Sequence, residues 1–180
     1  EIGAEQENAN RIILNEIFYD TPIAIDADAK EGYTWNIWAS NNTNVMANIT
    51  DRKDKTIKVP VVPETPDNKT IVLTAKATAN TNTAYTVEHY KMDTNGTTYT
   101  LVENDTEHKQ GTTDTVPVWE AKTYTGFTFE RNNPNNVIPD KIDGNGQTVV
   151  KLYYTREQYH FKAEAVTGTE IKEGTTIEGD

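Results

Sequence analysis

The chain of 180 residues contains no cysteine. Disulfides, thiolate catalysis and cysteine-bound zinc or iron–sulfur sites are therefore excluded. No apolar run approaches the ~20 residues of a membrane-spanning helix, so membrane insertion of this stretch is not expected. Positive charge is also short. Only 17 Lys and Arg stand against 28 Asp and Glu, for a net charge of −11. A nucleic acid or an anionic membrane needs clustered positive charge to displace counterions, so neither partner fits. Hydrophobic residues make up 35% and mean hydropathy is −0.73, below the ~45–50% apolar content of ordinary domains. One or two thin-cored modules fit this better than one thick core. The chain starts at Glu1 with no charged-then-apolar leader, which reads as a mature or trimmed piece.

What is abundant is threonine and asparagine, 29 and 18 residues. Threonine favours strands, asparagine favours turns, and both are mediocre inside helices. Alternation and turn punctuation predict strands at 11–19, 23–25, 32–40, 45–50, 56–62, 70–78, 84–92, from 98 onward, 126–131 and 148–157, with a further one at 159–166. Residues 1–10 read as frayed or as the start of a short helix, and 117–124 as one helical turn. Asn95-Gly96 between two alternating runs signals a type I′ hairpin. The polar stretch 79–83 marks a module boundary. The fold class is mainly β, an α+β arrangement with minimal helix. The domains are 1–83 and 84–157, followed by a partial repeat or a final strand and tail at 158–180. Each of the two halves has enough strand for one four- or five-stranded sheet.

Chemistry-bearing patterns are sparse. No Gly-x-Ser-x-Gly, His-Glu-x-x-His, phosphate loop or Gly-x-Gly-x-x-Gly occurs. No catalytic, cofactor-binding or metal-ligating residue is assigned, and no cofactor is expected. His89 is expected to face solvent opposite Val87, and His108 and His160 have no metal-site spacing. Asp140, Asp143 and Asn145 offer oxygen ligands of the kind calcium takes, as do Asp26 and Asp28, but solvated loop charge is the simpler reading. Trp35 and Trp38 sit on one strand, where strict alternation points them to opposite faces, and core filling is favoured over sugar stacking. Trp119 lies in an irregular polar stretch and, with Tyr124, is the candidate ligand platform. Five Asn-x-Thr sequons, at Asn41, Asn48, Asn68, Asn95 and Asn104, carry no assigned function. Lys76 and Lys151 are candidates for an isopeptide link to an asparagine, which would lower the mass by one ammonia.

The halves echo each other: K-E-G-Y-T-W (30–35) with Y-T-G-F-T-F (124–129), and T-I-V-L-T-A-K-A-T (70–78) with T-V-V-K-L-Y-Y-T (148–155). A-Y-T-V-E-H-Y-K-M-D-T-N-G-T-T-Y-T-L-V-E, then A-K-T-Y-T-G-F-T-F, then T-V-V-K-L-Y-Y-T-R, resembles over 84–156 a MucBP-like (mucin-binding-protein-type) repeat of bacterial surface proteins. The preceding stretch, about 11–80, resembles an internalin B-repeat-like (Listeria–Bacteroides repeat) module. Y-D-T-P-I-A-I, K-E-G-Y-T-W-N-I-W and the closing V-P-V-V-P-E-T-P-D-N-K-T-I-V-L-T-A-K-A-T carry that likeness. Ile37 stands where that family usually has glycine and Ala77 where it usually has tryptophan, and 41–69 is longer than usual.

The resemblance implies two tandem small β-grasp-like modules of a secreted or cell-surface protein of the bacterial cell wall. It implies a non-catalytic stalk, spacer or adhesin segment that is monomeric, with a host glycan or mucin-like glycoprotein as partner. The alternative is a carbohydrate-binding or accessory module of a larger secreted glycan-degrading enzyme, using Trp119 and Tyr124.

Overall fold

The computed structural model describes residues 4–8, 11–14, 18, 23–47, 49–59 and 71–171. The chain divides into two units, Glu1–Ala79 and Asn80–Asp180, both mainly β with very little helix.

In the first unit, β1 (Ala4–Asn8) and β2 (Arg11–Leu14) form an antiparallel hairpin where a frayed or helical start was expected. β3 (Ile23–Asp26) pairs with β5 (Thr56–Val59), and β4 (Tyr33–Ser40) with β6 (Leu73–Ala79), both antiparallel. The described strands thus pair two by two, and not as the four- or five-stranded sheet expected of this half. Part of the strand expected at 45–50 is helix α1 (Thr43–Ala47). The Asn42 side-chain oxygen accepts the N–H groups of Asn44 and Val45 at 2.9 and 3.2 Å. That is an N-cap, and the turn it starts buries Val45 against Trp38, Ile49 and Ile57. The expected strand residues 15–17, 19, 48, 60–62 and 70 lie outside the described residues.

β4 contains one residue too many for its ladder. Trp35 pairs with Ala77 and Ile37 with Lys76, which leaves Asn36 as a bulge. A bulge re-phases the pleat, so Trp35 and Trp38 lie on one side, not on opposite faces. Their ring centroids are 5.5 Å apart in an edge-to-face arrangement. Trp38 is buried and Trp35 packs on the same core. Both indoles donate to the 52–55 turn, Trp35 Nε1 to the Lys53 carbonyl (2.7 Å) and Trp38 Nε1 to that of Lys55 (3.3 Å). Their use is in the core.

The second unit is one mixed five-stranded sheet. β7 (Thr83–Met92) runs antiparallel to β8 (Tyr99–Leu101) and then to β9 (Glu107–Gly111) along the same edge, the two separated by a 3-10 turn at Glu103–Asp105. β11 (Thr148–Arg156) lies parallel to β7 on its other side, and β10 (Phe127–Phe129) pairs antiparallel with β11. First and last strands are paired in parallel, and each is flanked by an antiparallel strand; the described residues of this unit contain no α-helix, only the 3-10 turn. Tyr85, Val87, Val150, Leu152 and Tyr154 form the buried face. Trp119, Tyr124, Ile138 and Ile142, from connecting segments, cover it. Burying each aliphatic side chain there stabilises by about 1.5–3 kcal/mol. Segment 117–124, expected to contain a helical turn, is irregular up to Tyr124, which forms an isolated β-bridge, and 157–171 pairs with no strand among the described residues.

Two turns share one design. In Asp93-Thr94-Asn95-Gly96 and in Asp143-Gly144-Asn145-Gly146, the glycine N–H donates to the aspartate carbonyl at 3.1 Å. The asparagine side chain accepts the N–H two residues on, from Thr97 and Gln147, at 2.9 Å in both. Gly96 and Gly146 both have φ of +71°, which glycine adopts without a Cβ penalty. Asn95 is not among the positive-φ residues. The expected type I′ turn is therefore corrected to a type I turn followed by a left-handed glycine.

Candidate functional site

The main concentration of ionisable groups is inside the second unit. Along β7, Thr83, Tyr85, Val87 and His89 are buried in alternation. Residues two apart on a strand share a face, so His89 points with Val87 into the core, not opposite it toward solvent. It is 0% exposed.

Both His89 nitrogens have partners. Nδ1 lies 2.8 Å from the Tyr154 hydroxyl on β11, and Nε2 lies 3.3 Å from Glu107 Oε1 on β9. The Lys122 backbone N–H donates to the same Tyr154 oxygen at 2.8 Å. An amide can only donate, so the tyrosine proton is left to point at Nδ1. A carboxylate can only accept, so Nε2 carries the imidazole proton. The bonds close as a neutral Nε2–H histidine with no orphaned group, and no buried side-chain polar atom lacks a partner among the described residues.

Charged groups ring this centre. Lys122 Nζ reaches Asp105 Oδ1 (3.2 Å) and the Asp105 carbonyl (3.0 Å), and Tyr124 donates to Asp105 Oδ2 at 2.6 Å. Lys109 pairs with Glu107 Oε2 at 2.9 Å. The Tyr124 hydrogen bond holds Asp105 below the usual carboxylate range, and the Lys109 hydrogen bond does the same for Glu107. Burial pushes His89 down, against the opposing pull of Glu107, and pushes Tyr154 and Tyr124 up. In this centre Tyr154 is completely buried like His89, while the side chains of Asp105, Glu107 and Lys122 stay about a third exposed. What it does is join β7, β9, β11 and the covering segment through fixed proton positions.

The candidate platform residues are both committed elsewhere. Trp119 is half-buried, packs edge-on to Phe129 at 5.9 Å, and has the Arg131 guanidinium 5.2 Å from its ring centroid. Tyr124 is half-buried, packs edge-on to Tyr154 at 4.9 Å, and carries the Lys91 ammonium 4.0 Å from its ring centroid. Trp119 is half-buried and packs against the core.

The remaining candidates are accounted for locally. Lys141 Nζ sits 2.9 Å from Asp114 and 3.9 Å from Asp143, while Asn145 closes its own turn. A cation therefore already lies beside the calcium-like oxygens, and Asp140 is exposed. Asp26 accepts from Thr56 and Asp28 pairs with Lys55 at 2.5 Å. Among the described residues no three histidine or acidic side chains converge as a metal site would require. No hydrogen bond there joins Lys76 or Lys151 to an asparagine. Lys151 Nζ instead lies 5.8 Å from the Tyr90 ring centroid. His108 and His160 are exposed. Sequence reading missed Asp105, Glu107 and Lys122. The signal available was the Tyr85-x-Val87-x-His89 alternation, which places the histidine inside.

No protein-family model matches the chain, and no curated protein or solved structure matches it. No helix among the described residues is long and apolar enough to cross a membrane.

Proposed function

We propose that this chain is a non-catalytic, tension-bearing repeat segment, a stalk or spacer, of a secreted or cell-surface bacterial protein. The carrying observation is the parallel pairing of β7 and β11. Seven residue pairs run in register from Tyr85↔Thr148 to Lys91↔Tyr154. The chain enters the second unit through β7 and leaves its sheet through β11. In parallel strands the entry of one and the exit of the other lie at opposite ends. Tension along the chain then slides the two strands past each other and loads their hydrogen bonds together. Antiparallel terminal strands would instead unzip bond by bond. The buried His89–Tyr154 bridge spans the same two strands.

Repetition supports the stalk reading. T-E-H-K-Q-G-T-T (106–113) recurs as T-E-I-K-E-G-T-T (169–176). Just before the second copy, Tyr159 and Phe161 are 80% and 89% exposed in a segment that pairs with no described strand. We read 158–180 as part of a further unit of the same kind. Adhesion to a host glycan is implied by the family the sequence resembles, with the half-buried Trp119 and Tyr124 as its candidate residues.

Stretching the full chain by its ends tests the proposal. The 74 residues Thr83–Arg156 extend to about 250 Å at ~3.3–3.6 Å per residue, and with roughly 30 Å already spanned in the folded strand pair they release about 220 Å. That step is expected after the first unit has yielded. A second unit that opens first, at low force, would refute the tension-bearing role.

A further inference from the structure

We propose that His89 makes the second unit an acid-sensitive clamp, in which protonating the imidazole unlocks β7 from β11 and from the segment that covers their buried face. The inference concerns the strands assigned to bear tension, but it is tested without force, so either reading can fail alone.

The geometry carries the argument. The neutral Nε2–H imidazole completes its environment with no spare proton. Adding one puts hydrogen on Nδ1, which faces the Tyr154 oxygen at 2.8 Å. That oxygen already accepts the Lys122 N–H. The tyrosine proton must then leave Nδ1, and no other acceptor for it is within hydrogen-bond distance among the described residues. Protonation therefore creates a buried cation and orphans a buried hydroxyl in one step, and both are costly where neither side chain reaches solvent.

The groups facing His89 pull in both directions. Glu107 on β9, 3.3 Å away, and Asp105 in the 3-10 turn favour the cation. Lys122 from the covering segment disfavours it, and Lys109 on β9 holds the second oxygen of Glu107. Tyr154 on β11 and Tyr124, whose ring is 6.4 Å away edge-on, supply neutral walls. Burial outweighs the anions, and His89 lies below the ordinary histidine range.

The sign follows by linkage. Below pH ~6.5 the unfolded chain takes up a proton that the folded unit resists, so stability falls with pH. The loss begins near the unfolded value and continues until the lowered folded value is passed. Asp105 and Glu107, both depressed, give a separate loss in the carboxylate range at lower pH.

The test uses the full chain. Side-chain nitrogen NMR at pH 7.5 is expected to show His89 as the Nε2–H tautomer, titrating below 6.5. Urea unfolding is read on the Val87, Val150 and Leu152 methyls. The folded-to-unfolded ratio is expected to drop by up to about tenfold per pH unit between 6.5 and 5.5. In His89→Phe that drop disappears, although His108 and His160 remain. A His89 that titrates at or above 6.5, an Nδ1–H tautomer, or a pH dependence that survives in His89→Phe would overturn the proposal. Should His89→Phe fail to fold, the titration and urea series of the unaltered chain decide alone.

Discussion

Trp35 and Trp38 lie on the same side of β4, their ring centroids 5.5 Å apart and their planes at 70°, because Asn36 is an extra residue in the register with β6. Deleting Asn36 removes the bulge and leaves the two indoles two residues apart on a regular strand, so both still face the core. The first unit is then expected to keep its cooperative unfolding transition. Trp38→Ala is expected to cost about 3–5 kcal/mol, the usual range for emptying a buried aromatic site. Trp35→Ala costs less, because that ring is only half-buried. Urea unfolding followed on the amide signals of β4 and β6 separates the three variants.

Tyr154→Phe removes one oxygen and leaves two buried groups unanswered, the Lys122 N–H and His89 Nδ1. A loss of about 1–3 kcal/mol is expected. Tyr124→Phe, at a half-buried hydroxyl shared with Asp105, is expected to lose less. Equal losses in equilibrium unfolding would contradict the assignment of Tyr154 as the hub.

Two glycines resist substitution for different reasons. A Cβ at Gly111 would lie 2.4 Å from Ile142 Cδ1, and such overpacking costs roughly 1–3 kcal/mol. A Cβ at Gly96 meets open space, but φ is +71° there, a left-handed conformation that costs about 1–2 kcal/mol with a side chain. Ile142→Val deletes the clashing methyl. It should rescue Gly111→Ala and leave Gly96→Ala unimproved in a double-mutant cycle.

Lys122 and Asp105 are close enough to raise the question of a covalent amide, 3.2 Å between Nζ and Oδ1. Amide formation needs a neutral amine and a protonated acid. Asp105 is held ionised by Tyr124 and Lys122, so the pair is a salt bridge. The intact mass is expected to equal that of the sequence. A deficit of one water or one ammonia would contradict this.

Much of the second unit was legible because its signals are local. Alternation over 84–92 and 148–157 located β7 and β11 within a residue, and Asn95-Gly96 located the turn between β7 and β8. The parallel pairing of those strands is non-local, and no periodicity encodes it. In the first unit, one inserted residue at Asn36 defeats a period-two reading, and a five-residue helix rests on a single asparagine cap. His89 was legible in principle, since it continues the Tyr85-Val87 face. Its partners were not, because Glu107, Lys122 and Tyr154 meet only when four separate segments close on one sheet face.

The tension-bearing role is tested most directly by pulling in two directions. With no native cysteine, single thiols placed by Asn82→Cys and Gln158→Cys grip opposite ends of the β7–β11 pair. Asn82→Cys and Gln147→Cys grip the same end, since Tyr85 faces Thr148. Single-molecule extension should need several-fold more force in the first geometry, which shears, than in the second, which unzips. Equal forces in the two geometries would contradict the account.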